Sequence, residues 1–260
     1  MIFTKLKKQF LVVSALVIRE MATRYGTKIG GYAWAIIDPL AFVILLSLIF
    51  SAISRVPALG TNFPVFFAAG YMPFWIYRSM SDQIAGSITG NKHLLSYPIV
   101  HPYDTVFSRL ILQLVTIFVV CIIIFSGIGH FIEPLPKLNM EKILVASGIA
   151  IMFGMGVGMI NVVLFHMSST YQQVFTIVNR PLFLLSGVFI LPESIPHPYQ
   201  DYLLWNPLVH IVAIFRQGFF GTYRALLVDF NWLLAVSVVT FWTGFMAIKL
   251  FDARLRESPS

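Results

Sequence analysis

The sequence predicts an all-α integral membrane protein with six membrane-spanning helices, and two observations lead to this fold class. Hydrophobic residues make up 58% of the 260 residues, charged residues only 11%, and the mean hydropathy is +0.82. A water-soluble domain of this size is much less apolar. Several uncharged runs also approach the ~20 residues that a helix needs to cross a bilayer, whereas buried strands need runs of only about 4 to 8. We therefore treat residues 1–260 as a single transmembrane domain.

The six spans are placed where charged residues are absent or rare. The uncharged run at 143–179 is too long for one span, so we divide it between His166 and Thr170. In chain order the predicted spans are about 33–53, 63–80, 110–129, 143–166, 170–191 and 230–248.

Basic residues predict the orientation, because Lys and Arg near the span ends are more frequent on the cytoplasmic side. With both termini in the cytoplasm, ten basic residues lie on that side: Lys5, Lys7, Lys8, Arg19, Arg24, Lys28, Lys92, Lys249, Arg254 and Arg256. Five lie outside: Arg55, Lys137, Lys142, Arg216 and Arg224. The bias favours cytoplasmic termini. The same dispersed charges form no basic stripe, so we expect no nucleic-acid partner.

Three segments do not fit a simple span. Residues 1–30 contain a nine-residue apolar stretch, Phe10–Ile18, with basic flanks, which is typical of a helix lying at the cytoplasmic interface. Residues 84–104 are polar and rich in Gly and Pro, which predicts a cytoplasmic connection of short helices and turns. Residues 192–229 carry apolar pieces too short to span, so we expect an outer segment that re-enters the membrane.

Motifs for chemistry within this chain are missing from the sequence. A Walker A loop needs Gly followed by Lys, and no Gly-Lys pair occurs, so we expect no ATP hydrolysis by this chain and no bound cofactor. The six histidines are scattered and Cys121 is the only cysteine. A metal site assembled from several spans stays open as an alternative, but we expect no metal and no catalytic residue.

Placing a charged side chain at the centre of a membrane span costs about 2.5–3.5 kcal/mol of insertion free energy. Charged residues inside apolar runs therefore suggest a function. Arg180 either extends to the cytoplasmic interface or faces a conduit for an anionic or sugar-rich substrate. Asp38 and Arg78 lie nearer span ends, where interfacial or paired structural roles are favoured.

Aromatic residues cluster in the second span at Tyr71, Phe74, Trp75 and Tyr77. They fit an interfacial aromatic belt. They also fit a sugar conduit, because aromatic faces stack on pyranose rings, and the sequence leaves both interpretations open.

Two motifs resemble the permease subunits of ABC exporters that move capsular polysaccharide or related lipid-linked glycans. The first reads REMATRYG from Arg19 to Gly26 and GYAWAIIDP from Gly31 to Pro39. The second reads LWNPLVH from Leu204 to His210 and is followed by Arg216. Asp38 departs from the Glu expected before the proline, but the acid is kept. The resemblance covers essentially the whole chain.

The resemblance implies a permease in the bacterial inner membrane that works as a homodimer with two copies of a cytoplasmic ABC ATPase. ATP and Mg²⁺ would bind to that ATPase. Periplasmic and outer-membrane export proteins, membrane lipids and a lipid-linked glycan would be the other partners.

The resemblance also implies roles for four groups of residues. Those near the point of glycan uptake are Arg19, Glu20, Arg24 and Tyr25. Those that couple to the ATPase lie within Gly86–Leu95 and are Gly86, Ser87, Asn91, Lys92, His93, Leu94 and Leu95. Those that would line the path are Trp34, Tyr71, Trp75 and Arg180. Together with Phe74 and Tyr77 of the aromatic cluster they are the substrate-path candidates. The outer segment contributes Trp205, Asn206, Pro207, His210 and Arg216.

Other functions remain as alternatives. A related ABC permease for O-antigen, teichoic acid or a small drug shares the span pattern. A membrane-embedded glycosyl- or acyltransferase would need a deep His with an acid or an Asp-rich loop, and a secondary transporter would need coupling charges in mid-span; the sequence supports neither well.

Overall fold

The computed structural model describes residues 2–25, 30–97, 99–132 and 137–256. Within these ranges the chain is helical with no strand, which confirms the predicted all-α class. The helices are α1 (Ile2–Tyr25), α2 (Ala33–Ile53), α3 (Phe63–Ala85), α4 (Ser87–Gly90), α5 (Lys92–Leu95), α6 (Pro102–Phe131), α7 (Met140–Met167), α8 (Ser169–Leu184), α9 (Tyr199–Leu204), α10 (Pro207–Phe219), α11 (Phe230–Leu250) and α12 (Asp252–Arg256).

Four helices in the described ranges are long and apolar enough to cross a membrane, namely α2, α6, α7 and α11. They cover the predicted first, third, fourth and sixth spans. The helix α3 has 23 residues but is less apolar than these four, and α8 has only 16 residues, so neither meets the same criteria of length and composition.

The boundary between α7 and α8 falls at Ser168, inside the predicted dividing region. The backbone of Ser168 is extended, and its hydroxyl accepts a hydrogen bond from Tyr171 N at 3.2 Å, so Ser168 caps α8. The predicted end of the fifth span near Leu191 is wrong, because α8 stops at Leu184. A turn follows, in which Gly187 has a φ of +75°, a conformation that favours glycine.

The interfacial stretch predicted at Phe10–Ile18 belongs to the much longer α1, which has 24 residues and packs against α6. The α3–α6 connection, residues 86–101, contains the short helices α4 and α5. It lies with α1 and α12 at one end of the bundle, which we call the α1 end. The opposite end, where α9 and α10 lie, is the α10 end.

The helix α7 forms the centre of the bundle, because it packs against both α3 and α11. Glycines allow the close approach. A Cβ on Gly154 would lie 2.6 Å from Tyr77 O of α3, and one on Gly156 would lie 2.7 Å from Phe241 N of α11. On the α11 side, a Cβ on Gly244 would lie 2.6 Å from Gly156 O. Small residues at such contacts let helix backbones meet in a membrane protein.

The helix α10 lies within the predicted outer segment, residues 192–229, and almost all of its residues are buried. Asn206 caps α10 by accepting from Leu208 N at 3.0 Å. Nearby, Tyr223 donates a hydrogen bond to Glu193 Oε1 at 2.9 Å. Burial and the Glu193 carboxylate both raise the pKa of the Tyr223 hydroxyl above its usual range, so the group remains a donor.

We predict that Gly158→Val destabilises the protein, because a Cβ at this position would lie 2.7 Å from Ile84 Cβ and 2.8 Å from Ser81 O. Overpacking of this kind costs about 1–3 kcal/mol. The matched control is Gly148→Val on the same helix, where a Cβ would meet no heavy atom within 4 Å. The measurement is the thermal unfolding midpoint in detergent. Equal midpoints for the two variants would contradict the packing role.

Candidate functional site

The main candidate site is an open cavity of about 560 Å³ that is lined by residues of α2, α3, α6 and α8. Five of the six residues predicted for the substrate path line it: Trp34, Tyr71, Phe74, Trp75 and Arg180. The sixth, Tyr77, is buried on another face of α3, where its ring stacks on Phe153 at 5.2 Å. The cavity therefore joins residues that are 146 positions apart in the sequence, from Trp34 to Arg180.

Charged side chains of both signs line the cavity wall. Arg78 lies 3.6 Å from Asp82, one helical turn away, and both side chains are partly exposed. Asp38 and Arg180 also line the wall and form no ion pair with any residue that the structure describes. The cavity can thus offer a carboxylate and a guanidinium to a bound molecule.

Gln113 is a cavity residue that the sequence interpretation missed. Its side chain is only 1% exposed, yet its carboxamide makes no hydrogen bond to the described part of the protein. Most buried amides have partners, because an unpaired polar group costs free energy. The carboxamide is therefore suited to a ligand hydroxyl or a water molecule in the cavity. A single Gln in a long apolar run was the available sequence signal.

A series of aromatic rings continues from the cavity toward the α10 end. Phe183 contacts Phe42 and Phe74 in the cavity wall, at centroid distances of 5.3 and 5.1 Å. It also contacts Phe189 at 5.0 Å, and Phe189 in turn lies 6.3 Å from Phe67. These rings pack edge-on or tilted, as aromatic pairs prefer. They fill the space between the cavity and the α10 end.

A second groove, of about 420 Å³, leads from the cavity to the α3–α6 connection. Arg78 and Asp82 line both the groove and the cavity. The far wall comes from α8, through Gln172 and Thr176, and the end from Gly86 of the connection. The two spaces together reach from the cavity between α2, α3, α6 and α8 to the α3–α6 connection at the α1 end.

The residues predicted for glycan uptake and for ATPase coupling meet at one buried junction. Glu20 is 5% exposed, and its Oε1 accepts a hydrogen bond from Arg109 Nε at 2.9 Å and another from Asn91 Nδ2. The Oδ1 atom of Asn91 accepts from Arg19 Nη1 at 2.9 Å. The side chains of Arg24 and Tyr25 lie outside the described part of the structure.

The remaining coupling candidates divide into buried and accessible side chains. Ser87, Asn91 and Leu95 are buried, whereas His93 is exposed and Lys92 and Leu94 are half-buried. Gly86 lies beneath the guanidinium of Arg109, where a Cβ would come 2.7 Å from Nη1. The connection thus has one face held against the bundle and one face free.

The predicted outer residues shape the α10 end. Asn206 donates to Leu185 O at 2.9 Å, and Pro207 begins α10. The ring of His210 is buried and bonds to Leu204 O at 2.8 Å through Nε2, while Trp205 is 75% exposed.

The outer residue Arg216 is fully buried and holds the turn after α8. It donates to Gly187 O and Val188 O, both at 2.6 Å, and its guanidinium carbon lies 4.3 Å from the centre of the Phe66 ring. These contacts give Arg216 a structural role that the motif alone did not reveal.

Comparison with known proteins shows the family to which this chain belongs. Residues 12–220 match the ABC-2 type transporter family, and the chain belongs to this family. It is 33% identical over 239 residues to the polysialic acid transport protein KpsM of Escherichia coli, covering 91% of this chain and 92% of KpsM.

Two further relatives have a similar extent. The capsule polysaccharide export inner-membrane protein CtrC of Neisseria meningitidis serogroup A is 28% identical over 93% of this chain and 91% of its own length. The protein of the same description from Haemophilus influenzae, BexB, is 26% identical over the same shares.

We predict opposite stability effects for two buried amides. Asn91→Leu removes the bonds to Arg19, Glu20 and Ser87 O and leaves buried partners unpaired, at a cost of about 1–3 kcal/mol. Gln113→Leu removes an amide without partners, so stability is unchanged or higher. Thermal unfolding of the purified variants tests this, and a lower midpoint for Gln113→Leu than for Asn91→Leu would refute it.

Proposed function

We propose that this chain is the membrane subunit of an ATP-driven exporter that moves capsular polysaccharide, in lipid-linked form, across the bacterial inner membrane. The family match and three relatives named for polysialic acid transport or capsule polysaccharide export support this function. The chain is a transport subunit and not an enzyme, and a separate ABC ATPase hydrolyses ATP with Mg²⁺.

The observation that carries the proposal is the cavity lined by Trp34, Tyr71, Phe74 and Trp75 together with charged side chains. Aromatic faces bind sugar rings without holding one ring tightly, because the contact is apolar and tolerates sliding. The carboxylates, Arg180 and Gln113 offer hydrogen bonds to hydroxyl or acidic groups of the polymer. Such a lining suits repeated passage of similar sugar units.

In the proposed assembly two copies of the chain form a homodimer with six spans each, α3 and α8 being the second and fifth. Both termini and the α1 end face the cytoplasm. The helix α1 lies at the interface, and α10 belongs to a segment that re-enters the membrane from the outside. Most side chains of α8 are exposed, which leaves this helix available to contact the second copy.

Transport follows from movement of the α3–α6 connection, which acts as the coupling segment. The ATPase binds its free face, which includes His93 and Tyr97. Closure of the ATPase pair displaces the connection and opens the aromatic contacts above the cavity, so that polymer passes to the periplasmic and outer-membrane export proteins.

We predict that Trp34→Leu lowers export about threefold to tenfold, as expected for loss of an aromatic contact worth about 0.5–1.5 kcal/mol. Trp242→Leu on α11 is the matched control, because Trp242 is 54% exposed, similar to the 56% of Trp34, but does not line the cavity. Surface polysaccharide is measured in cells that carry only the variant. Equal export by the two variants would argue against a glycan path through the cavity.

We predict that His93→Ala combined with Tyr97→Ser weakens binding of the ATPase without lowering the permease's thermal midpoint, because both side chains are exposed. Tyr199→Ser, an exposed tyrosine at the α10 end, serves as control. Co-purification of the ATPase and surface polysaccharide are measured together. Normal export by the double variant would remove the coupling role of this face, and failure to recover any ATPase with the parent chain would remove the exporter proposal itself.

A further inference from the structure

The buried junction at Glu20 connects four segments that are distant in the sequence. Glu20 belongs to α1, Asn91 to the α3–α6 connection and Arg109 to α6, and Arg109 Nη1 also donates to Gln83 O at the end of α3, at 3.0 Å. The side chains of Glu20 and Arg109 are only 6% and 13% exposed. Water therefore screens this ion pair much less than a surface pair.

The shape of the connection is matched to the guanidinium of Arg109. Gly86 and Gly90 face it, and a Cβ on either residue would overlap Nη1 or Nη2. The flat fork of Arg can thus lie across the connection while Nε bonds Glu20 and Nη1 bonds Gln83 O. A lysine at position 109 could not make these contacts at the same time.

A second contact fixes the other half of α1. Gln9 Nε2 donates to Asp104 Oδ1, and Asp104 also caps the start of α6 by accepting from His101 N at 2.9 Å. Gln9 and Glu20 are eleven residues apart, which is about 16 Å along a helix. Two polar contacts at this separation define one orientation of α1 on α6 and on the connection.

The wall of the groove that α8 forms is not joined to this junction. The helix α8 packs mainly on α7, and most of its side chains are exposed. A displacement of the connection would be transmitted to α1 through Glu20 and Arg109, whereas no hydrogen bond or ion pair of the described residues joins α8 to the connection. The groove between α3 and α8 is the boundary at which such a movement would open or close the cavity.

We propose that Glu20, Asn91 and Arg109 act as positioning residues that join α1 to the α3–α6 connection, so that both move as one rigid body during transport. This inference rests on the proposed export function and adds to it a division between moving and stationary parts. The three side chains would not touch the polymer. Their effect would appear as polysaccharide exported per ATP hydrolysed.

Covalent rescue tests the rigid link. In a Cys121→Ser parent, which removes the only cysteine, Glu20→Cys with Asn91→Cys should retain ATPase activity but lower export per ATP about fivefold or more. A short bifunctional methanethiosulfonate, with the bridge verified by mass spectrometry, should restore export. Normal export before bridging, or no recovery after it, would overturn the link.

A matched bridge across the groove shows which boundary moves. Thr89→Cys on the connection and Thr176→Cys on α8 are both exposed and line the same groove. Bridging this pair should arrest export, because it ties the moving body to the stationary wall. Undiminished export by the bridged protein would overturn the division.

Arg109→Lys keeps the positive charge and provides a variant that does not depend on cysteine chemistry. We expect lower export per ATP, whereas a purely structural role would lower the thermal midpoint and leave this ratio unchanged. The Cys121→Ser parent separates the link from the proposed export function. If this parent exports no polysaccharide and recruits no ATPase, the export function fails. If it exports polysaccharide and recruits the ATPase, the variants made in it report on the link alone.

Discussion

The close backbone contact of α7 with α3 and α11 is the constraint on which the other features depend. Gly154 and Gly158 admit α3, and Gly156 together with Gly244 admits α11. A membrane interior offers little hydrophobic driving force between helices, so such packing must supply much of the specificity. Once α3 is fixed on α7, its other face forms one wall of the cavity, and its end leads into the α3–α6 connection.

Three arginines of the bundle, Arg109, Arg216 and Arg180, fall into two kinds. Arg109 and Arg216 are buried and have defined partners, a carboxylate in one case and two backbone carbonyls in the other. Arg180 faces the cavity and has no ion pair within the described ranges. Because an unpaired charge is costly in an apolar surrounding, we interpret the first kind as structural and the second as a contact for water or substrate.

Helix positions were largely predictable, and contacts between helices were not. The limits of α2 match the predicted first span, since absence of charge marks a span directly. The junction of Glu20 with Arg109 joins residues 89 positions apart, and no local pattern signals such a pair. Tyr77 was grouped with Tyr71 by sequence proximity, but the turn of the helix directs it toward Phe153.

The sequence by itself determined that the protein is helical and embedded in a membrane, because composition and the length of uncharged runs depend on residues close together in the chain. It also supplied the motifs that resemble capsule exporters. Only the tertiary structure decided that Gln113 lies in the cavity without a partner, and that Arg216 closes a turn. Those roles depend on which helices are neighbours, and side-chain packing determines that arrangement.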